Sequence, residues 1–535
     1  MAFIFIKNSF FLKTSLINSI QLIVLNLLLV FTGCSNKNDS KHVTTQTKNN
    51  IYKKFKYKFP EIVDSSFTLD CKNDSVILDT TYFNLDSDED PNILTFRGGH
   101  QRNSPTRGKL YYYPRTIDKI WEFKTAVDSI QGPWGYWGGG AGWTGQPLVI
   151  LWTGNELKQL RNLYNSNFNS HDTLIEIVQV SLSGYVYFIN LKTGIPTRPP
   201  IYIQNPIKGT PSISYNKEFL FVGQGVPHHE GFYWRCFNLK TCNLIHKERM
   251  PSTFAYRSWG ACDASPLISN RNTFFWPTES GVLYRGNFNK DTTLNILQYR
   301  YKIKNIHHQG IESSPAAIGN LMFFSDNGGG VFCIDINTMK PRWHFLNTDD
   351  SDASPVIGIE SDTPYVYVGN EVDKQGSVGM AACRKLNGLN GKIQWEYTKT
   401  CYSLTDKKTN NGGVLSSVCV GKNKLQNFVW VIFSLTNTSG AGVLTCLNTK
   451  TGTVSYEIKM PYYSWSSPIL IEDQKSNAYL YYSDVTGQIY IINAKDGKLL
   501  CNFKTGCIIE SSPIAWNNYI VQPARGNKIL CFKIN

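Results

Sequence analysis

The sequence predicts an all-β fold: an eight-bladed β-propeller of four-stranded antiparallel blades, closed by an N-terminal strand that completes the last blade. Three observations carry that prediction. A Ser-Pro strand start recurs eight times, in full or weakened form, at spacings of 40 to 64 residues. Three further strand-like runs follow each start, and a polar turn with Asn or Asp early and Gly late precedes the fourth run. The eighth unit stops after three strands, and a match for its missing fourth lies near the N-terminus.

Composition agrees with a large β-rich core. The chain has 535 residues, of which 13% are aromatic and 18% charged. Aromatics suit a pleated, half-buried surface, and the low charge excludes a disordered chain or a coiled coil. Lys7 and Lys13 are the charged residues before position 34, and an apolar stretch from Ile20 to Phe31 follows them. That stretch is short of the roughly 20 apolar residues a spanning helix needs. A basic start, an apolar middle and small residues at the end describe an export signal. The segment ends Val30-Phe31-Thr32-Gly33-Cys34, which resembles the bacterial lipobox and implies lipidation of Cys34 after cleavage. Cleavage leaves 52 basic against 40 acidic residues, a net +12. Nucleic acid is set aside as a partner because the chain is exported.

Residues 34–50 are polar and without periodicity, as a flexible tether should be. An N-terminal extension occupies 51–93. Its Lys53, Lys54, Lys56 and Lys58 either rest on anionic head groups or form the solvated face of a strand. The propeller then covers 94–535. Its strand starts are clearest at Asp263-Ala264-Ser265-Pro266, Glu312-Ser313-Ser314-Pro315, Asp352-Ala353-Ser354-Pro355, Trp465-Ser466-Ser467-Pro468 and Glu510-Ser511-Ser512-Pro513. Weaker copies end at Pro147, Pro211 and Val418. Lys119 to Thr125 resembles the fourth strand of unit seven, Leu500 to Thr505, and should complete unit eight. Such closure leaves no sheet edge exposed.

The Ser-Ser-Pro starts, the turns at Lys192-Thr193-Gly194 and Lys495-Asp496-Gly497, and the lead-in Phe96-Arg97-Gly98-Gly99 resemble the quinoprotein-type (PQQ-like) propeller repeat. Together with the lipobox, the chain resembles the propeller lipoproteins of the outer-membrane β-barrel assembly machinery. The resemblance implies an outer-membrane-anchored envelope lipoprotein, facing the periplasm or the cell surface. It implies a non-catalytic scaffold for envelope proteins or peptide segments, working as a monomer within a complex. Two alternatives stay open, a quinone- or metal-dependent oxidoreductase and a glycan- or peptide-binding surface protein. Quinoprotein dehydrogenases carry pyrroloquinoline quinone and calcium, with adjacent cysteines and a Glu/Asn/Asp calcium set. This chain has no Cys-Cys dipeptide, and none of its residues matches that set, so no cofactor is expected.

Cys236, Cys333, Cys383, Cys446 and Cys531 fall at one repeat position and read as small buried groups. Cys236/Cys242 and Cys501/Cys507 are close enough in sequence to pair. The residue three before each strand start should ring one mouth of the channel: Thr144, Lys208, Asp263, Glu312, Asp352, Leu415, Trp465 and Glu510. Four of these eight are acidic, which suggests a site for a cation or a Lys/Arg-rich partner segment. The plain alternative is that the carboxylates bond to backbone N–H groups of neighbouring blades. His228-His229 and His307-His308 lie on loops of the same predicted face and offer metal ligands, though at no compact motif spacing. The stretch 132–143, with Trp134, Tyr136, Trp137 and Trp143, is either an aromatic platform for a sugar or peptide, or a plug for the channel. The insertion 153–172 should project from the opposite face.

Overall fold

Alternating apolar runs separated by Asn/Asp–Gly turns fold as antiparallel four-stranded sheets, because each turn supplies the positive φ a tight reversal needs. Blade 4 shows the pattern: Ala316–Ile318, Leu321–Ser325, Gly330–Asp335 and Lys340–Leu346 pair in chain order. Eight such sheets occur among the described residues, with first strands beginning at Leu148, Ser212, Leu267, Ala316, Val356, Cys419, Ile469 and Ile514. These define blades 1 to 8. The computed structural model describes residues 67–72, 83–84, 86, 89–132, 135–142, 145–164, 173–288, 294–304, 310–404 and 410–535. All lie in the unit Tyr57–Asn535. Cys34, the tether, Trp134, Trp143, Thr144, His307 and His308 lie outside the described residues. Among the described residues no helix is long and apolar enough to cross a membrane.

The ring closes as the sequence predicts. Ile117–Lys124 pairs antiparallel with Lys528–Ile534, placing Trp121 opposite Cys531 and Lys119 opposite Phe532. Two further strands join blades. Thr106–Arg107 lies parallel to the first strand of blade 8, and Phe67–Cys71 lines the outer edge of blade 3.

Apolar side chains fill the spaces between blades. Phe221 and Trp234 of blade 2 pack on Phe274 and Trp276 of blade 3. Burying each such side chain contributes about 1.5–3 kcal/mol. The Ser-Pro start has its own role. The Oγ of the residue before Pro accepts the backbone N–H of its counterpart in the preceding blade. Gln146 donates to Thr210, Ser265 to Ser314, Ser314 to Ser354, Ser417 to Ser467 and Ser467 to Ser512. At the rim, Trp121, Trp343 and Trp395 each donate Nε1 to a carbonyl in the third-strand turn of the next blade, at 2.7–3.0 Å. Tyr456 replaces the indole before blade 7, donating its hydroxyl to the Ala494 carbonyl at 2.8 Å.

The channel is plugged, but by a different segment from the Trp-rich stretch. Ile93 to Leu110 threads the axis and bonds to the first strands of seven blades and to the Ser265-Pro266 start of blade 3. Ile93 bridges Val149, and the Leu94 carbonyl accepts from Ile213. His100 and Gln101 accept from Ala317 and Ile357, and Asn103 exchanges bonds with Val420. Pro105 accepts from Ala515, and Leu110 donates to Glu472. Arg102 Nη2 donates to the Ser265 carbonyl of blade 3 (2.9 Å), and Arg97 Nη1 to the Pro468 carbonyl of blade 7 (2.8 Å). Both guanidiniums are fully buried, and Arg102 is pulled down to about 9 by burial, which leaves it cationic at neutral pH.

Two sequence expectations change. In blade 5 the turn opens at Asn387, so the repeat's Cys position is Lys385, with Cys383 one same-face step earlier. The twelve described cysteines are free thiols, so neither Cys236/Cys242 nor Cys501/Cys507 is bonded. The insertion after blade 1's first strand starts with an α-helix, Gly154–Tyr164. Leu157 and Leu160 anchor it, and it packs by the Lys217 and Lys240 turns, away from the mouth.

Candidate functional site

Two concentric rings of side chains build the mouth. The first ring is the one three residues before each strand start. The second follows from strand register. Four residues beyond the second-strand residue that faces the repeat's Cys position stand Gly225, Glu279, Asn327, Glu371 and Arg525, in blades 2, 3, 4, 5 and 8. Each ring-one acid faces the ring-two residue of its own blade. In blade 8, Glu510 meets Arg525 Nε at 2.7 Å. In blade 4, Glu312 accepts from Asn327 Nδ2 at 3.0 Å. In blades 3 and 5 an acid faces an acid: Asp263 meets Glu279, and Asp352 meets Glu371.

The acidic sector is therefore confined to blades 3 to 5, not spread evenly around the rim. Glu312 joins its two halves. One oxygen each of Asp263, Glu279 and Glu312 lies within 4.8 Å of the others. Glu312 also acts electrostatically on Asp350, Asp352 and Glu371. A built-in cation serves the blade 3 half, where Lys208 of blade 2 forms an ion pair with Asp263. It reaches across because ring two of blade 2 is a glycine: a Cβ on Gly225 would come within 2.6 Å of the Lys208 stem.

Burial, then like charge, sets the protonation of this sector. Burial and the Glu312 and Asp263 carboxylates push Glu279 well above the usual carboxyl range. Burial with Glu312, Glu371 and Asp350 does the same to Asp352, and burial with Asp350 to Glu371. Asp350 rises to about 7, chiefly through burial. Burial opposes the Lys208 charge, but the carboxylates of Asp263, Glu279 and Glu312 outweigh it and hold the ammonium above its ordinary value. Glu279 Oε1, Asp352 Oδ1 and Glu371 Oε1 are buried and find no donor among the described residues. A proton or an incoming cation would satisfy them. Among the described residues, no backbone N–H of a neighbouring blade donates to the side chains of Asp263, Glu279, Asp352 or Glu371.

The donor set does not fit a calcium ion on the blade 3 side. Asp263, Glu279 and Glu312 already converge on the Lys208 ammonium, and a divalent ion there would lie against that charge.

The other predicted residues sit apart from the acidic sector. Leu415 is buried and Trp465 half-buried. Of the stretch 132–143, Gly132 and Gly135–Gly138 belong to a hairpin with Asp128–Gly132 as its first strand, on the mouth face, since Gly140 bridges to Arg525. Tyr136 is exposed and Trp137 half-buried, so of the four aromatics two are placed on this hairpin. His228 and His229 come beside that hairpin, against Asp128. Sequence reasoning missed Glu279, Glu371 and Asp128. For the first two a signal existed, a fixed offset from the second strand.

A scan of protein-family models finds no match, and no curated protein sequence matches. Solved structures do. Quinohemoprotein alcohol dehydrogenase ADHIIG from Pseudomonas putida HK5 aligns with 85% of this chain and 83% of its own, at TM-score 0.55 and 10% identity. BamB from Moraxella catarrhalis aligns with 78% of this chain and 98% of its own, at TM-score 0.46 and 12% identity. A europium-containing methanol dehydrogenase covers 84% of this chain and 99% of its own, at TM-score 0.41 and 11% identity. At these identities the dehydrogenase alignment shows a shared fold, the eight-bladed quinoprotein-type propeller.

Proposed function

We propose that this chain is a non-catalytic binding module, tethered to an envelope membrane through a lipid on Cys34, whose mouth receives a Lys/Arg-rich segment of a protein partner. The observation that carries the reading is the facing of acid on acid in blades 3 and 5, where the same positions in blades 8 and 4 hold Arg525 and Asn327. Facing carboxylates cannot all ionise at this spacing, so either protons or a cation from outside must relieve them. Lys208 shows how: its ammonium already settles the blade 3 pair, while among the described residues no lysine or arginine forms an ion pair with Asp352 or Glu371. A plugged axis and a fixed rim suit a docking surface that does not reorganise. An envelope scaffold among outer-membrane assembly proteins is the setting this supports, alongside the propeller likeness.

The test is calorimetric titration of the full chain in detergent with a Lys/Arg-rich peptide and with its Gln-substituted counterpart. The basic peptide should bind and the Gln peptide should not. The double variant Asp352→Asn/Glu371→Gln should weaken binding about tenfold or more. Equal affinity for both peptides, or an unchanged affinity in the double variant, would overturn the reading. Oxidation of an alcohol or sugar after reconstitution with quinone and calcium would favour the dehydrogenase alternative instead.

A further inference from the structure

The loop between the second and third strands of blade 2 carries a second constellation, independent of the acidic sector. His228 Nε2 lies 3.4 Å and His229 Nε2 3.1 Å from the same oxygen, Asp128 Oδ2. Ligand atoms bound tetrahedrally at about 2.0–2.1 Å sit roughly 3.3 Å apart, which both separations approach. The three donors lie within 4.8 Å of one another.

Each donor is held in place. Asp128 Oδ1 accepts the Ile130 N–H at 3.0 Å, which turns Oδ2 toward the histidines. The fully buried Asn205 accepts the His229 N–H at 2.7 Å and donates to the Glu230 carbonyl, clamping the loop. The His228 side chain is 0% exposed, and among the described residues neither ring nitrogen has a hydrogen-bond partner. An imidazole buried with both nitrogens unsatisfied is costly unless something else meets them. Its ring rests on Gly132, where a Cβ would come within 2.6 Å of Cε1, so the hairpin leaves space for it. Glu230, the next acid in the loop, is engaged by Arg235 and Lys247 and is not a fourth donor.

We propose that Asp128, His228 and His229 bind a divalent transition metal of the zinc class. Three protein donors leave a fourth position open, to water or to a donor from a bound partner. The ion would pin the Asp128–Gly138 hairpin to blade 2. Two His and a carboxylate suit zinc far better than calcium or magnesium, which take oxygen ligands.

Co²⁺ is the probe, added to the full, untagged chain in detergent. The expected result is the intense visible absorption of four-coordinate Co²⁺, reached at one equivalent and abolished by Zn²⁺. Asp128→Asn and His229→Ala should each weaken binding by about tenfold or more. Both should melt with the wild type in metal-free buffer, because His229 is exposed and Asn keeps the oxygen that accepts the Ile130 N–H. Absence of the four-coordinate spectrum would overturn the proposal. So would a spectrum unchanged in His229→Ala, which would put the ion on other histidines. Neither outcome bears on peptide binding at the acidic mouth, which the Asp352→Asn/Glu371→Gln variant reads separately.

Discussion

Asp326 provides a quantitative test of how burial governs the carboxyls of this face, because its shift owes little to neighbouring acids. It lies fully buried in blade 4, accepting the Tyr301 hydroxyl at 2.8 Å and the Gly330 N–H at 2.6 Å. Burial raises its pKa from 3.8 to about 7, with both hydrogen bonds opposing. Asp326→Asn removes the charge and keeps the shape. The Gly330 N–H can still be accepted, and the Tyr301 hydroxyl can turn to accept from the new amide. In the wild type, the folded state holds a proton that the unfolded chain has lost at any pH between 3.8 and about 7. Unfolding there releases a proton, so wild-type stability falls as pH rises. The rise in pKa corresponds to roughly 4 kcal/mol in all, of which about 3 kcal/mol is lost between pH 5 and pH 8. Urea unfolding of both proteins at these two pH values reads it directly. The variant should gain about 3 kcal/mol on the wild type between pH 5 and pH 8. A difference that does not change with pH would refute the assignment of this carboxyl as buried and proton-bound.

Other outcomes follow from the packing. Gly452 has φ +71°, and a Cβ there would come within 2.8 Å of the Trp395 ring, so Gly452→Ala should cost more than the roughly 1–2 kcal/mol of left-handed strain alone. Gly376→Ala, at φ +96° with nothing within 4 Å, should show the strain alone in the same thermal melts. Arg102→Met leaves the Pro315, Phe96 and Ser265 carbonyls without their donor and should destabilise by about 3–5 kcal/mol. Arg102→Lys should not restore this, because an ammonium cannot present the same fork. Thiol labelling of the native protein should modify Cys71, Cys242, Cys501 and Cys507, which are half-buried, well before the eight buried cysteines. Rapid labelling of Cys236 or Cys333 would contradict the packing between blades.

Much of this architecture was legible because it rests on local chemistry repeated at fixed spacing. The serine before Pro315, Pro355, Pro468 and Pro513 marks a blade because its Oγ accepts an N–H from the blade before it. Trp121 betrayed the closing strand because its indole docks on the next blade's turn, as Trp343 and Trp395 do. Asp263, Glu312 and Asp352 could be placed at the mouth because their offset from the strand start is constant. Glu279 and Glu371 escaped because their offset is constant from a second strand whose own start varies with loop length. Lys385 hid the blade 5 register by standing, buried, where other blades hold Cys. It is held there by Glu360 and the Thr449 carbonyl. The plug was misplaced for a similar reason. Glycines and tryptophans in 132–143 look suited to filling a channel, whereas Arg97 and Arg102 look like surface residues until the strand starts of blades 3, 4, 6 and 7 offer them carbonyls. The meeting of Asp128 with His228 and His229 spans about a hundred residues and two blades, and no spacing rule connects them.

The central claim is that shared protons in the mouth hold the place of an incoming basic side chain. Counting the protons exchanged on binding tests it most directly. Calorimetric titration of the full chain with the Lys/Arg-rich peptide at pH 6, in two buffers of different ionisation enthalpy, yields that count. The account predicts net proton release, because a cation beside Asp352 and Glu371 lowers the pKa values that burial and crowding have raised. Binding with no proton exchanged, or with uptake, would contradict it.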